Sequence, residues 1–336
     1  MPALSEFARP LRVGAALTIL ILVSVMAELP ASTRLPLLGS AFASCIGADW
    51  HLGGRRWPVV GIDVIGKVFG VLAGWAAGQV TLGGDMTLVL PGLFIGGALV
   101  GALTVMHQAL WWALIQSFVF FGIAGVLAAQ IDPLPTAGLV LLGSGLMSLW
   151  LELPNMLRQR HTRAEHPHPL QDAEAEIDHQ DHGLILRMAL IAGLSVGLAY
   201  CIALWTGLQR AYWAPLIVLF VLKPKSSDMR QAVLNRTVYT IIGAVAATAL
   251  VMLLPPEHGL LYVLFVLTAM ATIWFNGRNF RVFIALVTAG FILLVSMGFG
   301  GIVENAEARV YATLVGCAVT IVVAWVIRQV THPAPA

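Results

Sequence analysis

The chain has 336 residues, of which 59% are hydrophobic and only 11% charged, with a mean hydropathy of +0.86. Soluble domains carry about 25% charged residues, so this composition excludes an ordinary soluble domain and points to an all-α, polytopic integral membrane protein. The net charge of +2 says nothing about partners, because the side of the membrane on which each charge sits matters more than the sum.

Taken in chain order, apolar runs of spanning character fall at 12–29, 34–48, 59–80, 86–106, 108–129 and 135–156. A polar segment at 157–184 follows, and six more runs lie at 185–206, 210–223, 235–254, 258–275, 279–298 and 306–328. The expectation is about twelve transmembrane helices, with a first membrane unit over 1–156, a linker over 157–184 and a second unit over 185–330. Arg9 and Arg12 precede the first run in the manner of a secretory signal. No small-residue cleavage site follows, and the first helix is read as uncleaved. Cys45, Cys201 and Cys317 all fall inside apolar runs and read as core residues, without a disulfide framework or a metal site.

Residues at i, i+4, i+7 and i+11 share one helix face. In the third run that face carries Asp63, Lys67, Gly70 and Gly74. An ionised group near the bilayer centre costs about 2.5–3.5 kcal/mol. Asp63 and Lys67 are spaced to pair, which offsets part of that cost, and Lys67 lies a full turn deeper. His107 at a turn and Glu152 at a helix end read as interfacial residues. The linker holds five of the nine histidines (His161, His166, His168, His179, His182) beside several acids. Their spacing matches no tight ligand set, so a solvated loop is expected there.

Arg187 opens the second half, and the most informative stretch follows, RAYWAPLIVLFVLKPKSSDMRQAVLNRTVYTIIG from Arg210 to Gly243. Its apolar piece, Ala211 to Leu222, covers only about 18 Å as a helix, against a bilayer core of about 30 Å. Either its polar flanks enter the membrane or the helix stops partway. Arg210, Tyr212 and Trp213 bound it on one side, and Lys223 and Lys225 on the other. An aromatic belt explains the two rings; an anion-attracting lining with guanidinium forks and aromatic faces is the alternative. Further on, Arg236, Thr240, Gly243 and Ala247 share a face, as do Arg309, Thr313, Gly316 and Thr320 in the last run.

Placing the N-terminus in the cytoplasm puts 15 of the 19 lysines and arginines at inside ends, 3 outside and 1 (Lys67) within a span. That bias sets both termini and the linker in the cytoplasm. The halves also read as parallel six-helix repeats. Arg12 matches Arg187, the short run near Arg34 matches the one near Arg210, and HLGGRRW matches KPKSSDMR ahead of a Gly-rich run. A fainter inverted match pairs RTVYTIIG from Arg236 with RVYATLVG from Arg309. No GxxxxGK[ST] motif is present, nor a zinc-hydrolase or serine-nucleophile pattern. Neither an enzyme nor a nucleic-acid binder is indicated, and no cofactor is called for.

From Arg187 to Arg328 the sequence resembles the fusaric acid resistance family of membrane transporters, which includes aromatic carboxylic acid exporters. The resemblance rests on RMALIAGLSVGLAY from Arg187, YWAPLIVLFVLKP from Tyr212, NRTVYTIIGAVAA from Asn235 and ARVYATLVGCAVTIVV from Ala308. The first half fits only as a divergent copy, and the soluble domain that larger members carry between their halves is replaced by the short linker. The resemblance implies a bacterial inner-membrane exporter of organic anions, with a periplasmic adaptor as a possible partner. Substrate-binding residues are expected among Asp63, Lys67, Arg187, Arg210, Tyr212, Trp213, Lys223 and Arg236. In that reading Arg187, Lys223 and Arg236 draw the anion in, Asp63 and Lys67 form a pair that substrate or proton binding breaks, and Arg210, Tyr212 and Trp213 line the exit. A passive anion channel and a non-transporting membrane anchor are the alternatives.

Overall fold

Twelve helices account for nearly all of the residues described in the computed structural model, which are 2–47, 57–83, 86–159, 182–223, 226–253 and 258–331. They are α1 (Pro2–Met26), α2 (Ala31–Ile46), α3 (Trp57–Gln79), α4 (Val89–Met106), α5 (Gln108–Val126) and α6 (Pro133–Gln159), then α7 (His182–Trp205), α8 (Trp213–Val221), α9 (Ser226–Leu253), α10 (His258–Phe275), α11 (Phe280–Ser296) and α12 (Ile302–Thr331). Eight of them, α1, α3, α4, α5, α6, α7, α9 and α12, are long and apolar enough to cross a membrane, and α10 and α11 are apolar but shorter. The chain is therefore an all-α, multi-pass membrane protein. A small antiparallel hairpin, β1 (Thr81–Gly83) with β2 (Met86–Thr87), joins α3 to α4 where only a turn was expected. The His-rich linker falls, from 160 to 181, outside the described residues, as do Arg55, Arg56 and Lys225.

Of the two outcomes open for the short run at 210–223, the helix stops partway. α8 is nine residues long, about 14 Å, and eight of the nine are buried. It is enclosed by α7, α12, α9 and α4. Large apolar side chains face outward instead on the long helices, for example Leu186, Leu190, Leu194 and Leu198 in a stripe along α7. That stripe suits a lipid-facing surface, where apolar exposure costs nothing.

Helix pairing follows the same scheme in both halves. Within the first, α3 packs on α5 and α6, α2 on α6, and α4 on α5; within the second, α9 packs on α11 and α12, α8 on α12, and α10 on α11. Across the halves, α4 packs on α7 and α1 on α10. The hydrophobic core follows these cross-pairings. One cluster joins α4 and α5 to α7, α8 and α12, and the other joins α1, α2 and α6 to α10 and α11. Smaller clusters stay within one half, such as Ala43, Val71, Phe120 and Val140 in the first and Ile217, Val221 and Cys317 in the second.

The small residues that share faces with Asp63, Arg236 and Arg309 serve close packing. A Cβ on Gly70 or Gly74 would stand 2.2 Å from the carbonyl oxygen of Ser117 or Phe121 on α5. Gly243 meets the Ala285 carbonyl of α11 at the same 2.2 Å, and Gly316 meets the Ala214 carbonyl of α8 at 2.6 Å. Two helices that touch backbone to backbone leave no room for a side chain. The cavity-facing helices α5 and α11 even begin alike. His107 Nδ1 accepts from the backbone N–H groups of Ala109 and Leu110, and Asn279 Oδ1 accepts from those of Arg281 and Val282. Each is an N-cap that satisfies otherwise orphaned donors, so His107 has a capping role.

Replacing Gly70 by valine should lower stability by an amount on the order of 1–3 kcal/mol, the usual cost of overpacking. Gly138, whose Cβ would meet nothing within 4 Å, is the control. Thermal unfolding of the detergent-solubilised protein, followed by tryptophan fluorescence, should show a lowered midpoint for Gly70→Val and little change for Gly138→Val.

Candidate functional site

Between the two halves lies a cavity of about 460 Å³. Its walls come chiefly from α2, α5, α8 and α11, with Arg236 from α9, Arg309 from α12 and smaller contributions from α3 and α6. The lining is mostly apolar and aromatic, including Trp111, Trp112, Trp213, Phe220, Phe283 and Phe291. Among the described lining residues the only charged side chains are Arg210, Lys223, Arg236 and Arg309, and none is a carboxylate.

These cations are held by aromatic faces. The Arg309 guanidinium carbon lies 5.1 Å from the centre of the Trp213 ring and that of Arg210 5.6 Å from the same ring. Arg236 lies 5.1 Å from the Phe220 ring, and Lys223 Nζ 5.3 Å from the Trp111 ring. Both Trp213 and Phe220 belong to α8, so this short helix presents a ring to a buried arginine near each of its ends. Lys223 lies two residues beyond the end of α8.

Arg210 is tied down, with Nε donating to Asn305 Oδ1 at 2.7 Å and Nη2 to the Phe299 carbonyl at 2.9 Å. Asn305 in turn donates to the same carbonyl and to Ser296 Oγ. Arg236 and Arg309 differ. They are 7% and 5% exposed, and the Nε of each has no acceptor among the described residues. Trp111 Nε1, also in the lining, is a third buried donor without an acceptor. A buried cation with no counter-ion is costly, and orphaned buried donors call for an explanation. All three belong to residues that line one cavity devoid of carboxylates among the described residues, a setting that suits an anionic ligand.

Of the residues expected at a site, Arg210, Tyr212, Trp213, Lys223 and Arg236 come together in the cavity lining. Arg187 is half-buried on α7 and is not part of that lining. Asp63 and Lys67 are also absent from it. Lys67 Nζ donates to Asp63 Oδ2 at 2.5 Å and to Ser44 Oγ at 2.6 Å, and Ser44 Oγ donates to Asp63 Oδ2 at 3.1 Å. Asp63 borders a separate space of about 20 Å³, also lined by Ser44, Ser148 and Glu152 and large enough for one water. Trp112 lines both spaces and is the wall between them.

Sequence reasoning left Arg309 out of the site, although its signal was present in the match of RVYATLVG to RTVYTIIG. Trp111, Trp112 and Gln116 of α5 carried no signal, because an apolar helix with tryptophans at its end reads as an interfacial belt.

Residues 198–323 match the family model described as fusaric acid resistance protein-like, within the region where the resemblance was read. No match was found among curated proteins or among solved structures. The matched segment contains α8, Arg210, Lys223, Arg236 and Arg309, so it includes all four cations of the cavity.

Because the Asp63–Lys67 pair is buried, with Lys67 bonded to both Asp63 and Ser44, removing one partner should be far worse than removing both. Lys67→Met alone should cost about 3–5 kcal/mol by leaving a buried carboxylate unpaired, and Asp63→Leu with Lys67→Met should recover most of that loss. Thermal unfolding of the single and double variants checks this; a double variant as unstable as the single would contradict a simple pairing.

Proposed function

We propose that this membrane-transporter-like protein exports organic anions, aromatic carboxylates foremost, across the bacterial inner membrane, with the proton gradient as driving force. The observation that carries the reading is the pair of buried arginines, Arg236 and Arg309, each with an Nε that has no acceptor among the described residues, in a cavity lined by aromatic rings and free of carboxylates among those residues. Guanidinium groups recognise carboxylates through paired, charge-assisted hydrogen bonds. The Trp and Phe faces around them suit a flat apolar body attached to that carboxylate. The similarity of residues 198–323 to the fusaric acid resistance proteins favours transport over a passive structural role.

Twelve segments in two parallel six-helix repeats, with both termini in the cytoplasm, complete the proposal. Its support is the repeated pairing of α3 with α5 and α9 with α11, of α2 with α6 and α8 with α12, and the exchange of α4–α7 for α1–α10 across the halves. In this orientation Lys223 and Arg236 lie toward the cytoplasmic mouth and Arg210 toward the outer one. The Arg210–Asn305–Phe299 hydrogen bonds then close the outer end. The Asp63–Lys67 pair, set apart from the anion path behind Trp112, is the embedded charge through which proton coupling would act.

Proteoliposomes loaded with a labelled aromatic carboxylate test the reading. Efflux should respond to an imposed proton gradient, and the variant Arg236→Gln with Arg309→Gln should lose at least about 90% of it, more than 1.4 kcal/mol of differential binding. Undiminished efflux from a folded double variant would falsify the assigned anion site. Efflux that reverses with voltage and ignores the proton gradient would establish the passive channel instead.

A further inference from the structure

We infer that the cavity binds two anionic groups at once, at separate subsites near the two ends of α8. This deepens the anion-transport reading and rests on it. The first subsite is bounded by Arg309, Arg210 and the Trp213 ring, the second by Arg236, Lys223, Trp111 and the Phe220 ring.

Spacing is the first argument. Trp213 and Phe220 are seven residues apart on one helix, which sets them about 10 Å apart along its axis. Arg309 stands 5.1 Å from the first ring and Arg236 5.1 Å from the second. Each arginine thus has its own ring to hold it, and a bidentate carboxylate matches one guanidinium fork.

Charge is the second. Arginine stays protonated in proteins, and Arg236 and Arg309 are each more than nine-tenths buried with Nε unpartnered. A single monoanion at one guanidinium leaves the other as desolvated as before. Among the described lining residues no carboxylate supplies the missing charge. Two negative groups are needed to satisfy two such cations.

Orphaned donors are the third. Arg309 Nε is unpartnered at one end, while Arg236 Nε and Trp111 Nε1 are unpartnered on the other elements of the wall. Lys223, over the Trp111 ring, adds a fourth cation beside that second group. Each end of α8 therefore has its own aromatic face, its own unsatisfied donor and a second cation.

The chemistry that fits is a pair of small aromatic monocarboxylates in line, or one rigid dianion with a charge at each end of an apolar core. Binding to the purified full-length chain, measured by equilibrium dialysis, separates the two. Benzoate should saturate at two per chain in the wild type and one per chain in either Arg236→Gln or Arg309→Gln. Biphenyl-4,4′-dicarboxylate should bind one per chain and lose at least tenfold in affinity in each of those variants. Trp111→Phe keeps the ring and removes only the indole donor, and it should weaken one of the two benzoate events several-fold while sparing the other. Circular dichroism and elution volume verify that each variant is folded, and Trp111→Phe carries the test should an arginine variant not be. One benzoate per wild-type chain, lost in either arginine variant, would overturn the two subsites and leave anion transport standing. No binding of either anion would overturn both readings.

Discussion

Backbone polar groups inside a bilayer must be satisfied by the protein itself, and a helix that ends within the membrane can do so only where protein or a cavity surrounds its ends. The architecture around α8 follows from that constraint. Nine residues are too few to cross, so α4, α7, α9 and α12 enclose the helix, and eight of its nine residues are buried. Its two ends then lie inside the protein, and the space it does not fill becomes part of the cavity. The arginines of α9 and α12 reach that space because their helices pack against α8, Gly316 setting its backbone on that of Ala214.

Much of this was legible in the chain. Composition decided the class, since 59% hydrophobic residues with 11% charged leave little alternative to a helical membrane protein. The run at 210–223 was visibly too short, because its flanks are fixed by Arg210 and Lys223. Helical periodicity also marked the buried faces correctly. Asp63, Lys67, Gly70 and Gly74 are all buried, as are Arg236, Thr240, Gly243 and Ala247, and Arg309, Thr313, Gly316 and Thr320.

Periodicity does not say what a buried face meets, and that is where the sequence reading stopped. All three faces place glycines against backbone, so their small residues bring helices together and do not open room for a ligand. Lys67 looked like the deepest functional charge, but its ammonium is bonded to Ser44 of α2 and does not line the cavity. The first half reaches the cavity through α2 and α5, by side chains such as Trp111 and Trp112 whose type gave no hint of it. Nor could linear order reveal that the two large hydrophobic clusters join helices of both halves, because that depends on α1 crossing to α10 and α4 to α7.

Those cross-pairings set corresponding positions of the two halves side by side for comparison. Asp63 of α3 and Arg236 of α9 share a register, each seven residues before the glycine that packs on α5 or α11. Four residues on, the first half has Lys67 and the second has Thr240. An acid followed at i+4 by a lysine closes on itself, and with Ser44 it forms a self-contained polar cluster. An arginine followed at i+4 by a threonine cannot, because a hydroxyl carries no compensating charge. Arg236 Nε and Thr240 Oγ1 both lack a hydrogen-bond partner among the described residues. The change of sign at one position and the loss of a counter-charge at the next thus replace an ion pair by a cation with no acid on its own helix face. The asymmetry between the halves is electrostatic, built on a common pattern of helix packing.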